Sequence, residues 1–222
     1  MRLEKASLKA INYACKMFHY AKSVPVNTFG YSVFNDKNEW CGCIVYGLGA
    51  NNNLSKSFKM PQGTVIELVR MALNGKQEST SKAMSISLKL LPKYIPNCKI
   101  IVSYADEGQG HKGIIYQATN WIFIGDSFAE SAIDPKTGKI THTRILSSKY
   151  GSIKGFTRVK DAAKHKYIYP LDKSLIPLCK SLSKPYPKKP TSDSSITANA
   201  ATFQVVEEGQ HHPIAQIINN AI

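Results

Sequence analysis

The 222-residue sequence predicts an α/β fold, a mixed sheet with helices on both of its faces. Three observations carry this. Between Thr64 and Gly125, apolar runs of strand length alternate with stretches of helical period. The run Lys99–Ala105 is short, continuous and apolar, as suits a parallel strand covered on both sides. Upstream, two strand-like runs flank a polar turn, the pattern of a β-hairpin.

The elements follow in order. Leu8, Ile11, Cys15 and Phe18 recur at steps of three and four and predict a helix over 4–22, stopped by Pro25. Thr28–Phe34 and Glu39–Leu48 form the hairpin around the turn Asn35-Asp36-Lys37-Asn38. Asn51–Gln62 reads as a surface loop. Thr64–Met71 is a strand, Asn74–Thr80 a polar loop, and Ser81–Tyr94 a helix whose end Pro92 limits. Lys99–Ala105 is the buried strand, Gly113–Asn120 a helix and Trp121–Gly125 a further strand. Asp134–Lys139 has the composition of a hairpin turn, and Lys166–Leu171 reads as the last strand. The expected organisation is one catalytic domain over 1–175, a Lys/Pro-rich linker over 176–190 and a mobile tail over 191–222, where Ile214–Ile222 suits a short helix.

Composition narrows the partners. Lys and Arg number 29 against 15 Asp and Glu, a net charge of +14. The last 32 residues hold no Lys or Arg and three acids, so residues 1–190 carry an excess of seventeen positive charges. Such an excess suits a polyanion, and its predominance of lysine favours phosphate contact over base reading. The basic stretch from Lys139 to Lys189, with Lys149, Lys154, Arg158, Lys160 and Lys164-His165-Lys166, is the candidate phosphate surface. The sequence has no apolar run long enough for a membrane span and no signal-peptide pattern, so a cytoplasmic protein is expected. Its five cysteines, Cys15, Cys41, Cys43, Cys98 and Cys179, form neither a disulfide framework nor a paired zinc motif and read as packing thiols.

The succession of helix, hairpin, long strand, loop, helix, strand, helix and strand is similar to that of GNAT-type acyltransferases. That resemblance implies a donor held where the strand ending in Glu67-Leu68-Val69-Arg70 gives way to the loop and helix carrying Ser79, Thr80 and Ser81. The physical basis is the anion-binding helix N-terminus. The loop lacks the Gly-rich, Arg/Gln-containing pattern usual for coenzyme A, so acetyl-CoA and other acyl or aminoacyl donors stay open.

The most specific segment is Ser103-Tyr104-Ala105-Asp106 through Gly110-His111 to Ile115-Tyr116-Gln117-Ala118 and Asn120-Trp121. A strand runs into an acidic, Gly-rich turn that opens a helix, placing Asp106 at a strand's carboxyl end, where α/β ligand sites lie. A Tyr at position 116 is a candidate general acid. Together with Phe18-His19-Tyr20-Ala21-Lys22, Phe29-Gly30, Val33-Phe34 and Ile66-Glu67-Leu68-Val69-Arg70, this segment resembles the Mom family of phage DNA-modification proteins. The resemblance covers roughly residues 15–128. It implies a GNAT-like fold and addition of a carbamoylmethyl- or acetamido-type group to the exocyclic amine of adenine in double-stranded DNA, giving protection from host restriction in the host cytoplasm. It points to His19, Tyr20, Asp106 and Tyr116 as catalytic and to Arg70 and Ser81, with Ser79, as binding the donor. Asp106 would orient or deprotonate the amine, and Arg70 would hold an anionic donor group through its fork of donors. His19, Asp106 and His111 are the residues that an iron or zinc ion would use, though their spacing is not that of a ligand motif. The alternatives are a GNAT-type acyltransferase acting on a protein, tRNA or small amine, and a basic DNA-binding protein without catalysis.

Overall fold

A computed structural model describes residues 1–48 and 54–187. Eight strands form one sheet in the order β1-β2-β3-β4-β5-β8-β6-β7. Strand β1 spans Arg2–Lys5, β2 Thr28–Phe34, β3 Trp40–Gly47, β4 Val65–Leu73, β5 Ile100–Asp106, β6 Ile122–Ile133, β7 Ile140–His142 and β8 Arg158–Pro170. The pair β4–β5 is parallel, and the other neighbours are antiparallel. Helices α1 (Leu8–Phe18), α2 (Thr80–Tyr94), α3 (Ile114–Ala118), α4 (Thr143–Tyr150) and α5 (Ile176–Ser181) complete the fold.

Strand alternation assigns the faces. Cys43, Val45 and Ala72 point to α1, where they meet Ala10, Ile11, Ala14 and Cys15. Ile44, Tyr46, Ile66 and Leu68 point the other way, to Ala83, Met84, Leu88 and Leu91 of α2. Val65, Ile100, Val102 and Ile168 meet Cys179 of α5 on the α1 side. Helices therefore cover both faces of a mixed sheet, as the sequence predicts. All five cysteines are buried and free, consistent with packing.

Several boundaries differ from expectation. The helix expected over 4–22 is Leu8–Phe18, because Ser7 caps its start by accepting the Ala10 amide at 3.2 Å and His19 is already extended. Residues ahead of Ser7 instead form β1 along the edge of β2, with Leu3 packed on the core. Strands β6 and β8 run well beyond the short strands expected, the turn expected at Asp134–Lys139 joins β6 to β7, and α4 lies in a stretch where no element was expected. The stretch 176–187, expected as the head of a linker, opens with α5. It then runs along the start of β6: the Lys184 amide donates to the Phe123 carbonyl at 2.8 Å, and the Tyr186 hydroxyl donates to the Trp121 carbonyl at 2.6 Å. The remainder of the expected linker, the tail over 191–222 and the suggested helix at Ile214–Ile222 lie outside the described residues.

Two departures from a regular sheet position the site. Val45 pairs with Arg70 while its neighbour Tyr46 pairs with Leu68, leaving Val69 as an extra residue in a bulge. Residues in register share a face, so Arg70 follows Val45 to the α1 side. The second departure is a fork. Strands β4 and β5 are paired over Val65–Glu67 and Ile100–Val102, and the ladder ends there.

Candidate functional site

The fork is bridged at its apex by side chains. Ser103 Oγ donates to the Leu68 carbonyl at 2.9 Å, where the next backbone bond of a continuing ladder would be sought. The same Oγ lies 2.8 Å from the Tyr116 hydroxyl. A serine has one hydroxyl proton, so the Tyr116 hydroxyl is the donor in this second bond. Tyr116 is only 7% exposed and packs against Trp121 and Tyr167. Burial pushes its pKa up to about 12, aided by Tyr20, Tyr167 and Glu67. The phenol is therefore protonated at neutral pH.

Gly113 makes this packing possible. Its φ of 72° lies in the left-handed region, and a Cβ there would stand 2.4 Å from the Tyr167 ring. The close approach also lets the Tyr167 hydroxyl donate to the Lys112 carbonyl at 2.8 Å, pinning the start of α3.

The mouth of the fork collects polar groups from four separate segments. Asp106 ends β5, and its Oδ1 accepts the Gly108 amide at 3.0 Å, shaping the turn that follows. Its Oδ2 lies 3.5 Å from the Tyr20 hydroxyl and 3.8 Å from Lys164 Nζ. Tyr20 follows α1; its ring lies 4.3 Å from that of His19 and 5.7 Å from that of His111. Burial raises the Tyr20 pKa, and the Asp106 carboxylate raises it further. The His19 pKa is lowered to about 4, first by burial and then by the positive fields of Arg70, His111 and Lys22. Its imidazole is neutral at physiological pH, and its Nδ1 accepts the Ala21 amide at 3.1 Å.

Arg70 enters from β4. One guanidinium nitrogen donates to the Val69 carbonyl at 2.7 Å, and another approaches Ser23 Oγ at 3.4 Å. Its Nε is buried and has no hydrogen-bond partner among the described residues.

Of the residues singled out in the sequence, His19, Tyr20, Arg70 and Asp106 meet at this mouth, and Tyr116 lies beneath it in the fork. Ser79 and Ser81 are engaged at the start of α2: Ser79 accepts the Lys82 amide at 3.2 Å, and the two hydroxyls lie 3.0 Å apart. Sequence reasoning missed Ser23, Ser103 and the placement of Lys164 beside the carboxylate. Ser103 carried a signal, as a small polar residue directly after the apolar run Ile100-Ile101-Val102. Among the described residues, no three His, Cys, Asp or Glu side chains are grouped to hold a metal ion, and His19, Asp106 and His111 share the mouth without forming such a set.

Fold and site together define a mixed α/β protein with one polar mouth at a strand fork, lined by a carboxylate, a neutral imidazole, a phenol and a guanidinium. Comparison with known proteins gives the lineage: a model of the Mom protein family matches residues 1–188, and the chain belongs to that family. It is 27% identical over 129 residues to the methylcarbamoylase mom of Escherichia phage Mu. That alignment covers 56% of this chain and 54% of the relative, so it spans about half the relative's length. Among solved structures, the spermidine/spermine N-acetyltransferase SpeG of Vibrio cholerae is similar at a TM-score of 0.43 and 9% identity, covering 78% of this chain and 94% of the other. A probable acetyltransferase from Staphylococcus epidermidis gives a TM-score of 0.43 and 8% identity, covering 76% and 98%. No helix among the described residues is long and apolar enough to cross a membrane.

Proposed function

We propose that this chain is a DNA-modifying transferase that adds a small carbamoylmethyl- or acetamido-type group to the exocyclic amine of adenine in double-stranded phage DNA, protecting it from host restriction. The observation that carries the reading is the convergence of His19, Tyr20, Arg70 and Asp106, from separate segments of a Mom-family chain, on one mouth. The name of the phage Mu relative points to the same kind of group.

The chemistry asks for few parts. The amine nitrogen forms a bond to the donor carbon, the leaving group departs with its electron pair, and the amine sheds one proton. Asp106 is the acceptor suited to that proton or to orienting the amine, with Tyr20 and Lys164 beside it. His19, neutral in its surroundings and with its Nδ1 accepting from Ala21, carries its proton on Nε2 and offers a hydrogen-bond donor at the same mouth. Tyr116 supplies a protonated phenol beneath them, and donating that proton requires it to leave Ser103. Arg70, with its unpartnered Nε, is suited to an anionic part of the donor. Ser79, Ser81 and the start of α2 are assigned to the donor as well. A paired adenine amine is not accessible within a duplex, so the base must leave the stack, and the exposed ring of Tyr20 is the candidate surface for it to stack on.

The test is mass spectrometry of nucleosides digested from plasmid DNA of cells making the protein. A heavier deoxyadenosine is expected, absent with Asp106→Asn, and its mass identifies the added group. Unmodified DNA from cells holding abundant folded protein would overturn the proposal.

A further inference from the structure

Strands β6 and β8 do more than close the sheet. The three buried clusters that form the core contain no residue between 125 and 164. Over that interval the two strands run on past the core as a ribbon, pairing from Asp126–His165 to Ala132–Arg158. Strand β7 and helix α4 cap its far end. The cap is held by one buried carboxylate: Asp134 accepts from Lys149 at 2.8 Å and from the Tyr150 hydroxyl at 2.6 Å. Leu146 is the buried residue of α4. The ribbon is thus an arm with its own fastening.

The composition of its outer part is one-sided. Residues 135–160 hold seven Lys or Arg and no Asp or Glu. Lys139 and Lys154 are exposed on the cap. Amid this charge stand two large apolar side chains, Ile140 at 63% and Ile145 at 60% exposure. Exposed isoleucines within a predominantly positive rim suit a polyanion that also offers an apolar interior, which is a description of duplex DNA: phosphates outside, stacked bases within.

The root of the arm is at the site. Lys164 of β8 pairs in register with Asp106 and reaches its carboxylate at 3.8 Å. From Lys164 to Arg158 the strand advances roughly 20 Å at about 3.3 Å per residue. Phosphates in that reach lie within about six base pairs of a base held at Asp106, taking about 3.4 Å of axis per base on one strand.

We infer that the arm formed by residues 126–164 is the element that grips duplex DNA beside the modified base, with the basic cap on the phosphates and Ile145 and Ile140 pressed against the base stack. The inference rests on the DNA reading above. The cap neutralises phosphates several base pairs from the target. The isoleucines weaken stacking there, lowering the cost of bringing a base out to the mouth.

The test measures binding of the full chain to a 20-base-pair duplex as a function of salt. Each phosphate contact contributes a slope of about 0.9 in log K against log salt. Lys139→Ala with Lys154→Ala is therefore expected to flatten the slope by about 1.8. The matched pair Lys89→Ala with Lys93→Ala, toward the far end of α2, is expected to leave it unchanged. Ile145→Ser is expected to keep the slope yet lose modification of duplex more than of single-stranded DNA. A wild-type chain that binds the duplex with the same slope as the cap variant overturns the arm while leaving the DNA reading intact. A wild-type chain with no duplex affinity and no DNA modification overturns the DNA reading itself. Thermal melting of each variant near wild type shows that the arm is still folded.

Discussion

Replacing Asp106 with Asn separates chemistry from stability. In the folded chain the side chain has three duties, and Asn keeps the structural one. Its Oδ1 still accepts the Gly108 amide, now at 3.0 Å, that sets the turn. What is lost is the negative charge. With it go a 3.8 Å ion pair to Lys164, whose side chain is 42% exposed, and the 3.5 Å contact from Tyr20. An ion pair of that exposure is worth about 0–1 kcal/mol, and 3.5 Å is at the outer edge of hydrogen bonding. The stability cost is then at most about 1 kcal/mol, a fall in Tm of about 2–4 °C for a domain of this size. On the proposed function the catalytic cost is expected to be much larger, because a positioned general base contributes about 10²–10⁴ in rate. The assay pairs scanning calorimetry of the variant with the yield of modified deoxyadenosine per mole of folded protein. A variant that modifies DNA at more than a tenth of the wild-type yield refutes the role of Asp106 in proton transfer. A variant that melts about 10 °C or more below wild type refutes the partition of duties, since the carboxylate would then be holding the fold.

The other predictions are independent of one another. The folded pKa of His19, about 4, lies below its ordinary 6.5, so between those pH values the unfolded chain binds the extra proton. The contribution of His19 to stability is full above pH 6.5 and is lost as pH falls toward 4; a His19 Cε1 resonance titrating near 6.5 would refute it. Gly113→Ala combines a φ of 72° with a Cβ set 2.4 Å from the Tyr167 ring, and is expected to cost about 1–3 kcal/mol or more; an unchanged Tm would show that α3 can shift freely. The five thiols are buried, and burial raises the pKa of each, so a thiol reagent should react slowly with native protein and rapidly with all five after denaturation; fast labelling of the native chain would place a cysteine at the surface. A double-mutant cycle of Ser103→Ala and Tyr116→Phe should give a coupling near about 1 kcal/mol, the worth of one buried neutral hydrogen bond; strict additivity would mean that the hydroxyls are not bonded.

How much of this was legible in the sequence follows from burial. The core strands β2 to β5 and helix α2 carry periods set by one or two covered faces, so their residues announce them. Helix α4 buries Leu146 and exposes Ile145, leaving no period to detect. Strand β8 begins Arg158-Val159-Lys160-Asp161-Ala162-Ala163-Lys164, polar because the arm lies beyond the core, and only its end from Tyr167 shows a covered strand's composition. Strand β1 was partly absorbed into the helix expected from residue 4, because four residues at a sheet edge are too few to show a period and the Ser7 cap was passed over. At the site, His19, Tyr20, Arg70, Asp106 and Tyr116 stood in recognisable segments. Lys164 did not, because its place beside Asp106 depends on the register between strands 58 positions apart, a long-range pairing that no local pattern encodes.

The fork gives one reason why these particular side chains coexist. When β4 and β5 part, carbonyls that a ladder would have satisfied must find other donors, since a buried carbonyl without one costs about 1–3 kcal/mol. Leu68 takes the Ser103 hydroxyl, and Val69, displaced in the bulge, takes a guanidinium N–H of Arg70. Each repair leaves chemistry behind. With its proton committed to Leu68, Ser103 holds Tyr116 as a donor at the apex. With one nitrogen committed to Val69, Arg70 is fixed with its Nε still unpartnered. The mouth and the residues that line it thus follow from two neighbouring irregularities, the broken β4–β5 ladder and the β3–β4 bulge.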